Sequence, residues 1–460
     1  MRSLSLFLRS RMAAFWVFCV VLTSSLYAQR LVPVDSVHAF IKYDSNYIKY
    51  DPMSVPMRHF FKKWDRVIGE GKGEINIIHI GGSHVQAGVM SHRIRRNMLL
   101  AHPDRVGGRG MVFPYSAAAK CNNPSDYRIH CKEKVILTRC VYKEPEHGMG
   151  VAGIAITAHD TTTTVQMILN EPDIDFVSTK VVVIGESAEG VVPYVKAPVS
   201  TFDSYRLYEE AGAGYVTLKP VAVDSKSRRF LFRLPEPVDS FDIVIPCQPD
   251  QSFTLQGVVL DNDSSGITFH SIGVNGAAVP DYLKCSHFVQ DLQLLKPDMV
   301  VFGIGINDAS GSDFDTVEFK NNYMQLIDSI KVVNPNCAFV FITNNDSYKR
   351  VKSRTYVVNT NGVAARDVFY RLADMTGGAV WDQFEIMGGL KSMDKWRLSK
   401  LAKYDRVHFT HQGYKLIGDL FYNALEQMLY DNSILRNVDN RHSFPQKTID
   451  TNERYQYISY

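Results

Sequence analysis

The residues of this 460-residue chain that could do chemistry together are one serine, one aspartate–histidine pair, one asparagine and a glycine turn. Ser83 follows the apolar run Ile75–Ile80 and the pair Gly81-Gly82. A buried strand, a tight turn and a helix start in succession put its hydroxyl at the carboxyl end of a sheet strand, beside free backbone N–H donors. Asp405 precedes His408 by three residues, so one tight loop can carry the carboxylate to the ring. Asn307 closes Gly303-Ile304-Gly305-Ile306-Asn307, and Gly276 lies in Gly273-Val274-Asn275-Gly276-Ala277, each after an apolar run. A serine is a poor nucleophile until a base takes its proton, and histidine suits that task near neutral pH. A carboxylate fixes the histidine tautomer and stabilises the imidazolium. The N–H groups of Ser83 and Gly276 and the side-chain amide of Asn307 would serve an oxyanion. The set reads as a catalytic Ser83, His408 and Asp405 with an oxyanion hole of Ser83, Gly276 and Asn307. Taken singly, each has a plainer use: Ser83 as a helix N-cap, Asn307 as a turn residue, Gly276 as a positive-φ position.

The elements around these residues alternate. Val85, Val89, Ile94 and Met98 follow Ser83 at helical spacing, and Phe60, Phe61, Trp64, Val67 and Ile68 mark an earlier helix ended by Gly69 and Gly71. Gly266–Ile272, Met299–Ile304 and Ala338–Ile342 read as strands, with a short one near Val380. Helical faces run through Phe319–Ile330, Val363–Met375 and Leu416–Met428. Strands alternating with helices predict a doubly wound parallel sheet with helices on both faces. Between about 125 and 260 the pattern changes to short Val-, Ile-, Thr- and Phe-rich runs such as Lys180–Ile184, Tyr215–Leu218, Phe230–Leu234, Phe241–Ile245 and Phe253–Leu260. These predict an inserted antiparallel sandwich. The expected organisation is a leader at 1–28, a helical lead-in at 29–74, and the first half of the α/β domain at 75–124. The β insertion follows at 125–262, the second half of the α/β domain at 263–432, and a tail at 433–460.

Arg2, Arg9 and Arg11, the apolar stretch Ala13–Leu22 and Leu26-Tyr27-Ala28 have the pattern of an export signal, which implies a periplasmic or extracellular destination. The formal net charge is +3, all of it matched by those three arginines, so the remainder has no electrostatic footprint for nucleic acid or anionic lipid. No later stretch is long and apolar enough for a membrane span. Cys121, Cys131 and Cys140 are close enough in sequence for one disulfide, with no pairing specified, and free buried thiols fit the pattern equally well. His79, His84, His408 and His411 form no recognised metal-ligand motif, and the chemistry above needs neither metal nor cofactor.

The four blocks in this order resemble those of the SGNH (GDSL-type) hydrolases. Ser83, Gly276, Asn307 and the Asp405–His408 pair fall on the family's matching positions, and the resemblance covers about 75–120 and 265–430. The β-rich stretch between the first two blocks is similar in layout to the exported peptidoglycan O-acetylesterases, where a carbohydrate-binding-module-like jelly roll is inserted. That implies a three-layer α/β fold and a serine esterase acting on an O-acetylated glycan, peptidoglycan or another polysaccharide. Acetyl transfer on the same scaffold, or glycan binding without catalysis, are the alternatives. His84, directly after the serine, also fits that subgroup, and with Arg109 of the Gly107–Tyr115 loop it is a candidate to line the site. The family's Gly-Asp-Ser block is here Gly81-Gly82-Ser83. The missing aspartate belongs to no triad, so no acid, base or oxyanion donor goes with it.

Overall fold

The computed structural model describes residues 30–442, apart from 35, 119–120, 122–123, 170–176, 200–208, 211–213 and 354. The expected leader and residues 443–460 of the expected tail lie outside them. The central sheet runs Ile48–Tyr50, Ala379–Trp381, Ala338–Ile342, Met299–Gly303, Glu74–Gly81, Gly266–Gly273. The last five strands pair in parallel. Ile48–Tyr50 adds an antiparallel edge that the lead-in's polar sequence concealed. Every residue of Ala338–Ile342, and all but the first of Glu74–Gly81, is buried, which requires helices on both faces. Val55–Glu70, Val89–Ala101 and His411–His442 pack together as one group; Phe288–Leu295, Thr316–Val333 and Asn361–Thr376 form the other.

Two helices differ from the expected elements. The single helix expected after Ser83 is two, Ser83–Gln86 and Val89–Ala101, because Gly88 takes φ +75° between them. The final helix runs on to His442 instead of ending near 432. The lead-in is tied along that helix: Val32 N–H donates to Asn423 Oδ1 at 2.9 Å, and Asn423 Nδ2 returns to the Val32 carbonyl at 2.8 Å. Helix Val55–Glu70 starts on Ser54, whose hydroxyl accepts from Met57 N–H; it buries Phe60, Phe61, Trp64 and Val67 of the expected face and adds Met57, while Ile68 is half-buried.

Between the adjacent strands Glu74–Gly81 and Gly266–Gly273, the chain forms two antiparallel sheets. One contains Tyr127–His130, Thr162–Leu169, Tyr194–Pro198, Glu209–Glu210, Tyr215–Leu218 and Ser240–Pro246. The other contains Ile136–Arg139, Ile154–His159, Ser178–Glu186, Ala222–Asp224, Arg229–Val238 and Ser252–Asp261. Alternate residues of Thr162–Leu169 are buried, the signature of a strand with one face on a core. Pairing begins before residue 125: Gly110–Val112, expected as loop, is a strand beside Ser252–Asp261. The six described cysteines are all free, with no bridge among Cys121, Cys131 and Cys140.

Two strand ends admit only glycine. A Cβ on Gly81 would stand 2.2 Å from Val85 Cγ2 and 2.7 Å from the Gly303 carbonyl oxygen; one on Gly273 would stand 2.3 Å from the Gln86 nitrogen. Gly81→Ala should therefore lower unfolding stability by on the order of 2–4 kcal/mol, read by chemical denaturation. An unchanged denaturation midpoint would refute the close-approach argument.

Candidate active site

The strand register brings the chemistry together. Gly81 pairs level with Gly273 on one side and with Gly303 on the other, so the loops carrying Ser83, Gly276 and Asn307 leave the sheet side by side. Ser83 begins a single-turn helix, where its own N–H has no intrahelical acceptor. Among the described residues neither the Ser83 N–H nor the Gly276 N–H meets an acceptor. Gly276 takes φ +82° and is exposed, as a turn opening onto a cleft requires. Ser83, Gln86, Ala87, Asn275, Gly276, Asn307, Lys403, His408 and Tyr414 line that cleft.

The hydrogen-bond chain is continuous. Ser83 Oγ lies 2.7 Å from His408 Nε2, and His408 Nδ1 lies 2.9 Å from Asp405 Oδ2. Asp405 Oδ1 also accepts from the backbone N–H groups of Val407 and His408, both at 2.9 Å, so the carboxylate is held by its own loop. Arg406 takes φ +57° in that loop, and its guanidinium pairs with Asp394 and lies over the rings of Tyr348 and Tyr356. Burial opposes the Asp405 charge. The hydrogen bonds from the His408 ring and the two backbone N–H groups outweigh it, holding the carboxyl well below the usual carboxylate range. An ionised Asp405 with Nδ1–H pointing at it leaves Nε2 free to accept the Ser83 proton. The His408 side chain is 33% exposed, so the serine is open to a solvent-borne substrate.

His84 and Arg109 do not line the cleft. His84 stands behind the triad: its Nδ1 is 2.8 Å from the Tyr414 hydroxyl and its ring centroid 5.2 Å from that of His408. Burial first, then the neighbouring His408, pushes His84 down to about 3, so this ring is neutral wherever His408 would work. Arg109 is 2% exposed and paired with Asp126, which also accepts from Arg95 at 3.0 Å. It serves a buried ion cluster, a use that one strongly basic residue in a glycine-rich loop does not disclose. His79 is likewise buried, with Nδ1 2.9 Å from Ser91 Oγ. No group of three or more His, Cys, Asp or Glu side chains placed to hold a metal occurs among the described residues.

Several site residues carried no signal that sequence reasoning used. Gln86 Oε1 accepts from Asn275 N–H at 2.6 Å, and its position one turn after Ser83 was the available clue. The hydroxyls of Tyr282 and Tyr115 donate to the Gly81 and Gly273 carbonyls, each at 2.8 Å, pinning both strand ends. Nothing local in the sequence marks either tyrosine.

Residues 250–416 match the GDSL-like Lipase/Acylhydrolase family; the stretch includes Gly276, Asn307, Asp405 and His408 but not Ser83, which the fold supplies from elsewhere in the chain. A solved structure described as "Peptidoglycan O-acetylesterase in action" is 17% identical, with a TM-score of 0.66 over 84% of this chain and 99% of that one. A lipase/acylhydrolase from Enterococcus faecalis is 21% identical over 35% of this chain and 77% of that one, with a TM-score of 0.28. The acetyl xylan esterase AlAXEase is 19% identical over 35% and 81%, again at 0.28, too low to carry an argument. No curated protein sequence matches. Residues 250–416 thus match the GDSL-like acylhydrolases, and the chain builds a three-layer α/β fold around that stretch. Over most of its length that fold is shared with the peptidoglycan O-acetylesterase.

Asp308, next to Asn307, accepts from Val279 N–H at 3.1 Å, and burial pushes its carboxyl up to about 6. An acid with a raised folded pKa stabilises the fold fully below its unfolded value of about 3.9, and the effect is lost as pH rises through about 6. Asp308→Asn keeps the acceptor and removes the charge. It should raise unfolding stability at pH 8 by on the order of 1–2 kcal/mol and change it little at pH 4. Denaturation at the two pH values checks this; equal gains at both would contradict it.

Proposed function

We propose that this protein is an exported serine esterase that removes O-acetyl groups from peptidoglycan or another polysaccharide. The observation that carries the reading is the unbroken chain from Ser83 Oγ through both ring nitrogens of His408 to Asp405, at 2.7 and 2.9 Å. In this reading His408 Nε2 takes the Ser83 proton as Oγ attacks the acetyl carbonyl. The Ser83 and Gly276 N–H groups and Asn307 Nδ2 receive the oxyanion. His408 then protonates the departing sugar hydroxyl, leaving acetyl-Ser83. A water that gives its proton to His408 attacks this ester, and acetate leaves as Ser83 recovers its proton. Asn307 Nδ2 donates to the Ala277 carbonyl at 2.9 Å, which fixes the amide and leaves its second N–H for the oxyanion.

Exposure of the site favours water over a second sugar as acyl acceptor, because Asn275, Gly276 and Lys403 on the cleft rim all face solvent. Tyr404, 84% exposed and next to Asp405, offers a ring face of the kind that stacks on sugars. The antiparallel sheets of residues 110–261 are the proposed glycan-holding region, an inserted jelly-roll-like unit at 125–262. The proposed export signal accords with a wall polymer as substrate, and no described helix is long and apolar enough to cross a membrane.

Hydrolysis of p-nitrophenyl acetate, followed by acetate release from O-acetylated peptidoglycan, tests the reading. Ser83→Ala should lower kcat by roughly 10⁴-fold or more, and Asp405→Asn by about 10²–10⁴-fold with substrate affinity retained. Acetate release that survives Ser83→Ala would remove Ser83 from the mechanism.

A further inference from the structure

The oxyanion donor proposed at Gly276 is one half of a peptide group whose other half is gripped from outside the α/β sheet. The Asn275 carbonyl and the Gly276 N–H belong to the same peptide. No peptide bond among the described residues is cis, so the two groups point in opposite directions. Arg139, the last residue of the strand Ile136–Arg139 in the second antiparallel sheet, donates from Nη2 to the Asn275 carbonyl oxygen. On the preceding peptide, the Asn275 N–H is fixed by Gln86 Oε1. On the following one, the Ala277 N–H donates to the Val274 carbonyl at 3.0 Å.

Packing does not hold the peptide between them. Gly276 has no side chain, takes φ +82°, and has nothing within 4 Å of where a Cβ would stand. A glycine here can take positive or negative φ at little cost, so the Asn275–Gly276 peptide can rotate about its flanking bonds while its neighbours stay in place. Its direction must then be set by hydrogen bonds, and the bond to its carbonyl comes from Arg139. A charged donor on that oxygen also polarises the peptide and makes its N–H a stronger donor.

We propose that Arg139 is a positioning residue of the oxyanion hole: it anchors the Asn275 carbonyl so that the Gly276 N–H faces Ser83. The proposal rests on the serine-esterase reading above. It makes the antiparallel region a working part of the active site, since a strand of that region sets the direction of a catalytic dipole.

The test uses the full mature protein with Arg139→Met and Arg139→Lys, p-nitrophenyl acetate as substrate, and an alkyl boronic acid that forms a tetrahedral adduct on serine. Arg139→Met should lower kcat about 10- to 100-fold with KM within about twofold, because the oxyanion donor acts in the transition state. Boronate affinity should fall in proportion. Arg139→Lys should keep most of the rate, and added guanidinium should restore part of it to Arg139→Met and none to Ser83→Ala. Wild-type kcat in Arg139→Met, or a loss confined to KM, would overturn the assignment. A crystal structure of Arg139→Met decides the point independently of activity. A rotated Asn275–Gly276 peptide supports the anchor, and an unrotated one overturns it. Absence of any Ser83-dependent turnover in the wild type would instead remove the esterase reading, leaving that crystal structure to judge the anchor.

Discussion

Everything at this site depends on three parallel strands ending at one level. Gly81, Gly273 and Gly303 are register partners across adjacent strands, and each is followed by a loop that delivers one block of chemistry. A register slip of one residue would turn every side chain of a strand to the other face, and burial on both faces forbids it. The glycines let the loops approach closely: the Gly81 Cα sits where a methyl would strike Val85, and the Gly273 Cα abuts the backbone of Gln86. The Tyr115 hydroxyl then donates to the Gly273 carbonyl where the sheet ends, and the Tyr282 hydroxyl joins the Val274 N–H on the Gly81 carbonyl. The loops of Ser83, Gly276 and Asn307 are thus placed side by side by backbone geometry.

Gly82 stands where related hydrolases have an aspartate, and the structure suggests how the loops are held without it. A Cβ on Gly82 would lie 3.4 Å from both Asn307 Nδ2 and the Ala277 carbonyl oxygen. A carboxylate there would sit beside the amide of Asn307. In this chain that amide is bonded to the Ala277 carbonyl, the Asn275–Gly276 turn is tied to Gln86 and Arg139, and Asp308 holds the Val279 N–H. The bracing is distributed over four side chains instead of one. The Ser83–His408–Asp405 chain closes in its presence, which argues against reading Gly82 as a mark of decay.

The parts of this architecture that the sequence disclosed are those governed by local rules. Unbroken apolar runs marked the buried parallel strands, and glycine turns after them marked the sheet edge where Ser83, Gly276 and Asn307 gather. Asp405 and His408 were legible because three residues of spacing suffice for a carboxylate to reach a ring. What stayed hidden was set by distant partners. Ile48–Tyr50 becomes a strand because Ala379–Trp381 offers an open edge, and nothing in its own polar surroundings says so. Arg109 reads as a site residue until its pairing with Asp126 is visible, and nothing local in the sequence marks the bond from Arg139 to Asn275. His84 directly follows Ser83 in sequence yet lies behind His408 in space, held by Tyr414 from the final helix.

The central claim is that Ser83 is a nucleophile activated by His408, and the most direct measurement is covalent. The protein would be treated with a fluorophosphonate ester, and the modified residue located by peptide mass mapping. The account predicts one label per chain, on Ser83, formed far more slowly in His408→Ala. A label on another residue, none at all, or labelling of Ser83 at the same rate without His408 would contradict it.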